Sequence, residues 1–312
     1  MNIISASRRT DIPAFYGDWF MNRIKDKNAY AFNPYNRQVS KISLDNNDVL
    51  CLVFWSKNFI PFTENLKILK DLGYRFYFNY TITGLPSEFE CSLVETDLAI
   101  KNMIELSKLF SPKHINWRYD PIVISNKTDY EFHEKNFTKM AKVLGDNGIE
   151  RCYFSFMNTY AKIKPNIDLL EKNNNIKIEV YSNEWNTHLA KDLAEIAKDN
   201  GIKMYTCCGD YLISDLIHKA HCIDSDIINE LFGNVNTLKE KPTRIGCGCF
   251  ESIDIGTYDT CPHGCMYCYA NINKESAKTN FYLHDSESKI LGIGKEESEI
   301  MINNSIKIKT LF

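Results

Sequence analysis

Three cysteines, Cys261, Cys265 and Cys268, fall in the segment CPHGCMYCYAN at 261–271, separated by three residues and then by two. Thiolates this close on one loop suit a metal centre. Structural zinc takes four ligands, commonly as two short cysteine pairs some distance apart. His263, between two of the cysteines, would have to aim beside them at the same ion. An iron–sulfur cluster fits the spacing better, because thiolates hold it and the loop wraps it with backbone amides directed at sulfur. Gly264 permits a tight turn and Pro262 stiffens its start. Three ligands on a four-iron core leave one iron open to a small molecule, the mark of a chemical rather than a scaffolding site.

Of the 11 cysteines, eight lie between 207 and 268. Upstream of the triplet are Cys207, Cys208, Cys222, Cys247 and Cys249. One of Cys207 and Cys208, which a strand would point to opposite faces, joins the other three to make four thiolates. That is the complement of a closed [4Fe–4S] cluster or a zinc site. His218 and His221 are alternative ligands. Cys51, Cys91 and Cys152 stand singly and read as small buried hydrophobes.

These residues need a scaffold. Apolar or β-branched runs at 2–7, 48–55, 74–83, 114–124, 151–158, 201–207 and, more weakly, 251–256 predict strands. Helical periodicity fills 96–110, 130–145 and 183–201, with Thr96 and Asn183 as candidate N-caps. Strand–helix alternation at this pitch predicts an α/β fold on a mainly parallel sheet, open or closed into a barrel. The strands run out into polar residues: Arg8, Arg9 and Asp11 after the first, Lys57 after the second, and Arg118 and Asp120 before Pro121. Ligands sit at that end of parallel α/β folds, so these six are candidate substrate or cofactor contacts. Arginine suits anions such as phosphate or carboxylate.

Composition narrows the class. Lys and Arg number 37 against 40 Asp and Glu, a net charge of −3, so no overall basic excess points to a nucleic-acid coat. Residues 244–273 hold one Arg and no Lys beside Glu251, Asp254 and Asp259, which disfavours a nucleic-acid clamp there. No run approaches the ~20 apolar residues of a membrane span. The start, MNIISASRRTDIP, lacks the apolar core of a signal peptide. The expected location is the cytoplasm, where thiols stay reduced.

The C-x-x-x-C-x-x-C loop, with an aromatic before its last cysteine, resembles the signature of the radical S-adenosylmethionine (SAM) superfamily. Its Cys-Tyr-Ala ending is similar to the branch containing spore photoproduct lyase. The resemblance implies a [4Fe–4S] cluster on Cys261, Cys265 and Cys268, shielded by Tyr267, with SAM on the fourth iron. One-electron reduction by a flavodoxin- or ferredoxin-type donor would cleave SAM to methionine and a 5′-deoxyadenosyl radical that takes hydrogen from a substrate. It also implies a full or partial parallel (β/α) barrel. In the superfamily the loop commonly follows the first strand; here it follows the last candidate, so the barrel would be circularly permuted. The whole chain resembles an uncharacterised bacterial family that combines an N-terminal SASRRTDIP with a C-terminal cysteine loop.

The expected organisation is a barrel core over 1–210, a cysteine-rich segment over 211–283 and a C-terminal extension over 284–312. The function that follows is SAM cleavage and modification of a polar or anionic substrate, a small molecule rather than a nucleic acid. The alternative is a structural zinc-binding or non-SAM iron–sulfur protein serving as a binding or redox module.

Overall fold

A computed structural model describes residues 1–33, 38–91, 94–233 and 239–309. The ten strands are β1 (Asn2–Ala6), β2 (Asn28–Phe32), β3 (Val39–Ser43), β4 (Val49–Ser56), β5 (Phe76–Thr81), β6 (Ile115–Ile122), β7 (Arg151–Phe156), β8 (Lys203–Thr206), β9 (Ile217–Lys219) and β10 (Ile253–Asp254). Eight of them form one sheet in the order β10-β1-β4-β5-β6-β7-β8-β9. Every neighbouring pair in it is parallel. Strands β2 and β3 form a separate antiparallel hairpin.

The expected α/β class and parallel sheet are present, and six of the seven predicted runs hold a strand of four residues or more. The sheet is open: among the described residues no pairing joins its two edges, β9 and β10. Of the run 251–256 only two residues pair. The hairpin and three-residue β9 went unpredicted, the one for its alanines, which are poor strand formers, the other because three residues carry no period.

Alternation along the central strands sorts side chains onto two faces. Leu52, Phe54, Phe76, Phe78, Trp117 and Phe154 face the helices Thr96–Leu109, Tyr130–Asp146 and Asn183–Asp199 and form the main core. Each such fully buried side chain contributes about 2 kcal/mol. Trp117 stacks on Phe137 with ring centroids 4.9 Å apart. Cys51, Val53, Tyr77 and Tyr153 point the other way and pack on Cys207, Ala220, Cys222, Ile223, Ile227 and Cys249. The cysteine-rich segment therefore covers the face that the long helices leave bare.

Helix starts differ in detail from the expected caps. Ser182, not Asn183, caps the helix that follows, its Oγ accepting from Trp185 N at 3.3 Å. Glu95 precedes Thr96 at the cap position and makes no side-chain cap bond. Residues after 284 pack onto the body rather than standing apart. Trp19 Nε1 donates to Ser288 O at 2.8 Å, and Ile290 and Ile302 are buried against Val39. The last three residues of the expected extension lie outside the described ones. Among the described residues no helix is long and apolar enough to cross a membrane.

Candidate functional site

The exits of β1 and β10 meet at one carboxylate. Asp254 accepts from Ser5 Oγ at 2.5 Å and Arg8 N at 2.9 Å on one oxygen, and from Ser7 Oγ at 2.6 Å and Gly256 N at 3.0 Å on the other. Four donors leave it little capacity for the guanidiniums, whose Nε atoms stand 3.8 Å (Arg8) and 3.9 Å (Arg9) away. Arg8 instead donates to Ser252 Oγ at 2.9 Å and lies over Trp55. Arg9 donates to Gly256 O at 3.3 Å and lies over Tyr258. One carboxylate thus faces two guanidiniums at long ion-pair distance, so the pair keeps a net positive charge. A Cβ on Gly256 would meet Ser7 Oγ at 2.1 Å, so this close approach of two loops admits only glycine.

The triplet loop leaves β10 at the same end of the sheet. Cys265 is buried, and Cys261 and Cys268 are half-buried. The three thiols lie within electrostatic reach of one another, and backbone N–H groups of Ala270 and Asn271 point at the Cys268 sulfur. Burial pushes the Cys265 thiol up to about 12, against the pull of the Lys57 ammonium. Gly264 turns with φ +72°, as the sequence required. His263 faces away from the cysteines: its Nε2 sits 2.8 Å from Asp11 Oδ2, and its ring meets Phe15 edge-on.

Asp11 corrects an expectation. It is buried and does not line the cavity described below. It caps a short helix through Ala14 N at 3.0 Å, accepts from Lys57 N at 2.8 Å and holds His263. It ties the exits of β1 and β4 to the triplet loop, away from the cavity wall. Cys91 is a second correction: it is exposed, not a core residue, and lies beside Gly264. Cys51 and Cys152 are buried as expected.

Lys57 pairs with Glu90 at 2.7 Å, and the same carboxylate oxygen accepts from Thr83 Oγ1 at 2.8 Å and from Tyr267 OH. Burial works against the Lys57 ammonium, but Glu90 and the nearby Cys265 outweigh it and raise its pKa. Glu90 and Asp254 are the polar groups that sequence reasoning passed over. Neither has a local pattern to betray it, since their charged or hydroxyl partners Lys57 and Ser5 lie 33 and 249 residues away.

The other five cysteines also gather. Cys207 Sγ lies 3.7 Å from Cys222 Sγ. Contacts of Cys207 with Cys208, Cys208 with Cys247, and Cys249 with both Cys247 and Cys222 complete a ring of five sulfurs. Sheet alternation does not decide between Cys207 and Cys208. Strand β8 ends at Thr206, so its alternation no longer governs them, and Cys208 turns back with φ +60°. Arg118 Nη1 donates to Cys222 Sγ at 3.0 Å and Arg244 Nε to Cys208 Sγ at 3.0 Å. Bonds from Cys207 and Cys249, then the Arg118 guanidinium, hold the Cys222 thiol well below its ordinary range. His221 is turned to Gly248 O and His218 packs on Tyr205, so neither joins the ring. Among the described residues no three His, Cys, Asp or Glu side chains are placed as ligands of one metal ion.

A cavity of about 890 Å³ opens between these groups, at the C-terminal ends of the strands. Arg8, Arg9, Lys57, Arg118 and Asp120, the candidate contacts at the strand exits, all line it, together with Arg244, Lys162, Trp55 and Tyr269. Cys207, Cys222, Cys247 and Cys249 form part of its wall. Cys261, Cys265 and Cys268 do not reach it; Lys57, which senses the charge of Cys265, stands between. Arg118 also pairs with Asp120, which in turn accepts from Ser155 Oγ.

Fold and site together define a parallel α/β protein with a cationic, partly cysteine-walled cavity at the carboxyl ends of its strands. The chain belongs to the family described as Domain of unknown function (DUF1848), whose sequence profile matches residues 3–270. No curated protein and no solved structure matches it.

Proposed function

We propose that this protein is a radical SAM enzyme acting on a polar or anionic substrate. The observation that supports this best is the position of the triplet loop. It leaves β10, which pairs in parallel with β1, so Cys261, Cys265 and Cys268 are delivered to the same sheet end as Arg8, Arg9 and the cavity. In this reading the open sheet is a partial (β/α) barrel, circularly permuted so that the cluster loop follows its last strand instead of its first.

The donor set suits an open [4Fe–4S] cluster. Three thiols sit close together, backbone amides face one of them, and His263 is engaged elsewhere, leaving no fourth ligand within the loop. A cluster there would supply the electron that cleaves SAM to methionine and a 5′-deoxyadenosyl radical able to take hydrogen from the substrate. The chain's own residues bind and orient. Arg8 and Arg9 offer guanidinium forks to a carboxylate or phosphate. Lys57 stands between triplet and cavity with its charge maintained by Glu90. Asp120, fixed by Arg118 and Ser155, is an acceptor for a substrate hydroxyl or amine. Tyr267 donates to Glu90 and screens the loop. The reading places the chain in the reducing cytoplasm with a flavodoxin- or ferredoxin-type donor.

The test is anaerobic reconstitution with iron and sulfide, dithionite reduction and addition of SAM. Formation of 5′-deoxyadenosine by the native chain, and its loss in Cys265→Ala, supports the reading. If product is absent, SAM is expected to alter the EPR signal of the reduced cluster. An iron-loaded protein whose signal SAM leaves unchanged is a redox module instead, and one that takes up only zinc is a binding protein.

A further inference from the structure

We propose that the five-cysteine ring is a second iron–sulfur site, with Cys207, Cys222, Cys247 and Cys249 as its ligands and Cys208 as a non-ligand. This goes beyond the radical reading and does not depend on it.

The exits of β8 and β9 and the turn at 244–249 converge here, although no thiol packing requires it. Small buried hydrophobes do not attract guanidiniums, yet two arginines donate to these sulfurs. Arg118 is buried at 7% exposure, a costly position unless negative charge faces it. Asp120 answers only one side of its fork; Cys222 Sγ takes the other at 3.0 Å. Four thiolates round a core of charge +2 carry a net charge of roughly −2, which two guanidiniums offset. Further donors reach the same sulfurs. Cys249 N points at Cys247 Sγ from 3.4 Å and Thr243 Oγ1 from 3.5 Å, the hydrogen bonding to sulfur that stabilises iron–sulfur cores.

The donor chemistry narrows the metal. An all-sulfur set rejects magnesium and calcium, which take oxygen. Four thiolates accept either zinc or an iron–sulfur core, and the metal content of the loaded chain, measured below, separates the two.

Cys208 is the fifth wheel for three reasons. It sits in the left-handed region, it is the neighbour of Cys207 and so one ligand too many for a set of four, and it alone of the five does not line the cavity. The four proposed ligands are also wall residues, so a cluster held by them would face whatever the cavity binds, opposite Arg8 and Arg9.

The test uses the full chain with Cys261, Cys265 and Cys268 all changed to Ala, which removes the first site. After anaerobic reconstitution this variant is expected to hold about four irons and four sulfides and to show an EPR signal on reduction. Adding Cys222→Ser and Cys249→Ser removes both; adding Cys208→Ser leaves both. Alkylation of the loaded triple variant, read by mass spectrometry, requires no further substitution. It should label Cys208 and spare the four ligands. A triple variant that takes up no iron, or one zinc in its place, overturns the proposal, as does equal labelling of all five. An iron-free triple variant beside a native chain that binds four irons leaves the radical reading standing.

Discussion

Arg118 Nη1 lies 3.0 Å from Cys222 Sγ, a contact between residues 104 apart in the chain, while the other arm of the same guanidinium holds Asp120. The backbone of Cys222 is pinned as well, its carbonyl accepting from Tyr77 OH at 2.9 Å and Asn79 Nδ2 at 3.2 Å. Strands β5 and β6 therefore fix Cys222, three residues beyond β9, on the face of the sheet opposite the long helices.

Removing that guanidinium should destabilise the protein. Arg118→Met leaves Asp120 without its counter-charge in a largely buried site and is expected to cost about 3 kcal/mol. Arg118→Lys keeps the charge but not the two-way fork, and should cost less. Urea unfolding under reducing conditions measures both; a Met variant as stable as the parent would refute the structural role.

Gly256→Ala should act at the turn that carries Arg8 and Arg9. Its Cβ would sit 2.6 Å from Ser7 Cβ, so Ser7 or the β10 exit must move, at about 2 kcal/mol. Because Ser7 and Arg8 share Asp254, the arginine pair shifts too. The expected signs are a lower unfolding midpoint and weaker binding of pyrophosphate by calorimetry. Unchanged values for both would show that the loop adapts freely.

Stability should fall between neutral and mildly acid pH. Burial lowers the pKa of His133 to about 4. Its ring is satisfied when neutral, accepting from Tyr119 OH at 2.8 Å and donating to Val123 O at 2.9 Å. The unfolded chain binds the proton first, near pH 6.5, so the contribution is whole above that pH and is lost as pH falls toward 4. Its size is about 3 kcal/mol. His114 and His284, also lowered to about 4 by burial, act in the same direction. Urea midpoints at pH 7.5 and 5 measure the fall, and His133→Gln, which can keep both hydrogen bonds, should make it shallower.

Cys91 decides whether the triplet centre is open. It is exposed beside Gly264, near enough to invite a fourth-ligand role. If the fourth iron is free for SAM, Cys91→Ser retains the iron and sulfide of the parent, whereas Cys265→Ala loses those of the first site. Equal loss in the two variants would mean a closed cluster.

Much of this was readable along the chain. Apolar runs marked six strands of the large sheet, because central ones such as β4 and β5 are buried on both faces and need an unbroken run of large side chains. The cysteine spacing marked the triplet loop, since side chains that share one turn are near neighbours in sequence. Polar residues after the strands marked Arg8, Arg9, Lys57, Arg118 and Asp120 as cavity residues.

What the linear order could not decide is which distant groups satisfy one another. Asp11 looked like a pocket residue because it follows a strand; packing turned it inward to His263. Cys207 and Cys208 looked like alternatives because strands alternate; the strand stops one residue too soon. Asp254 and Glu90 gave no local signal, because a buried carboxylate is defined by its donors and those donors sit on other strands. Side-chain type and short-range spacing set the elements and marked the cysteine loop. Only the tertiary structure chose the partners, because desolvating a charge is tolerable solely where the fold brings its complement within reach.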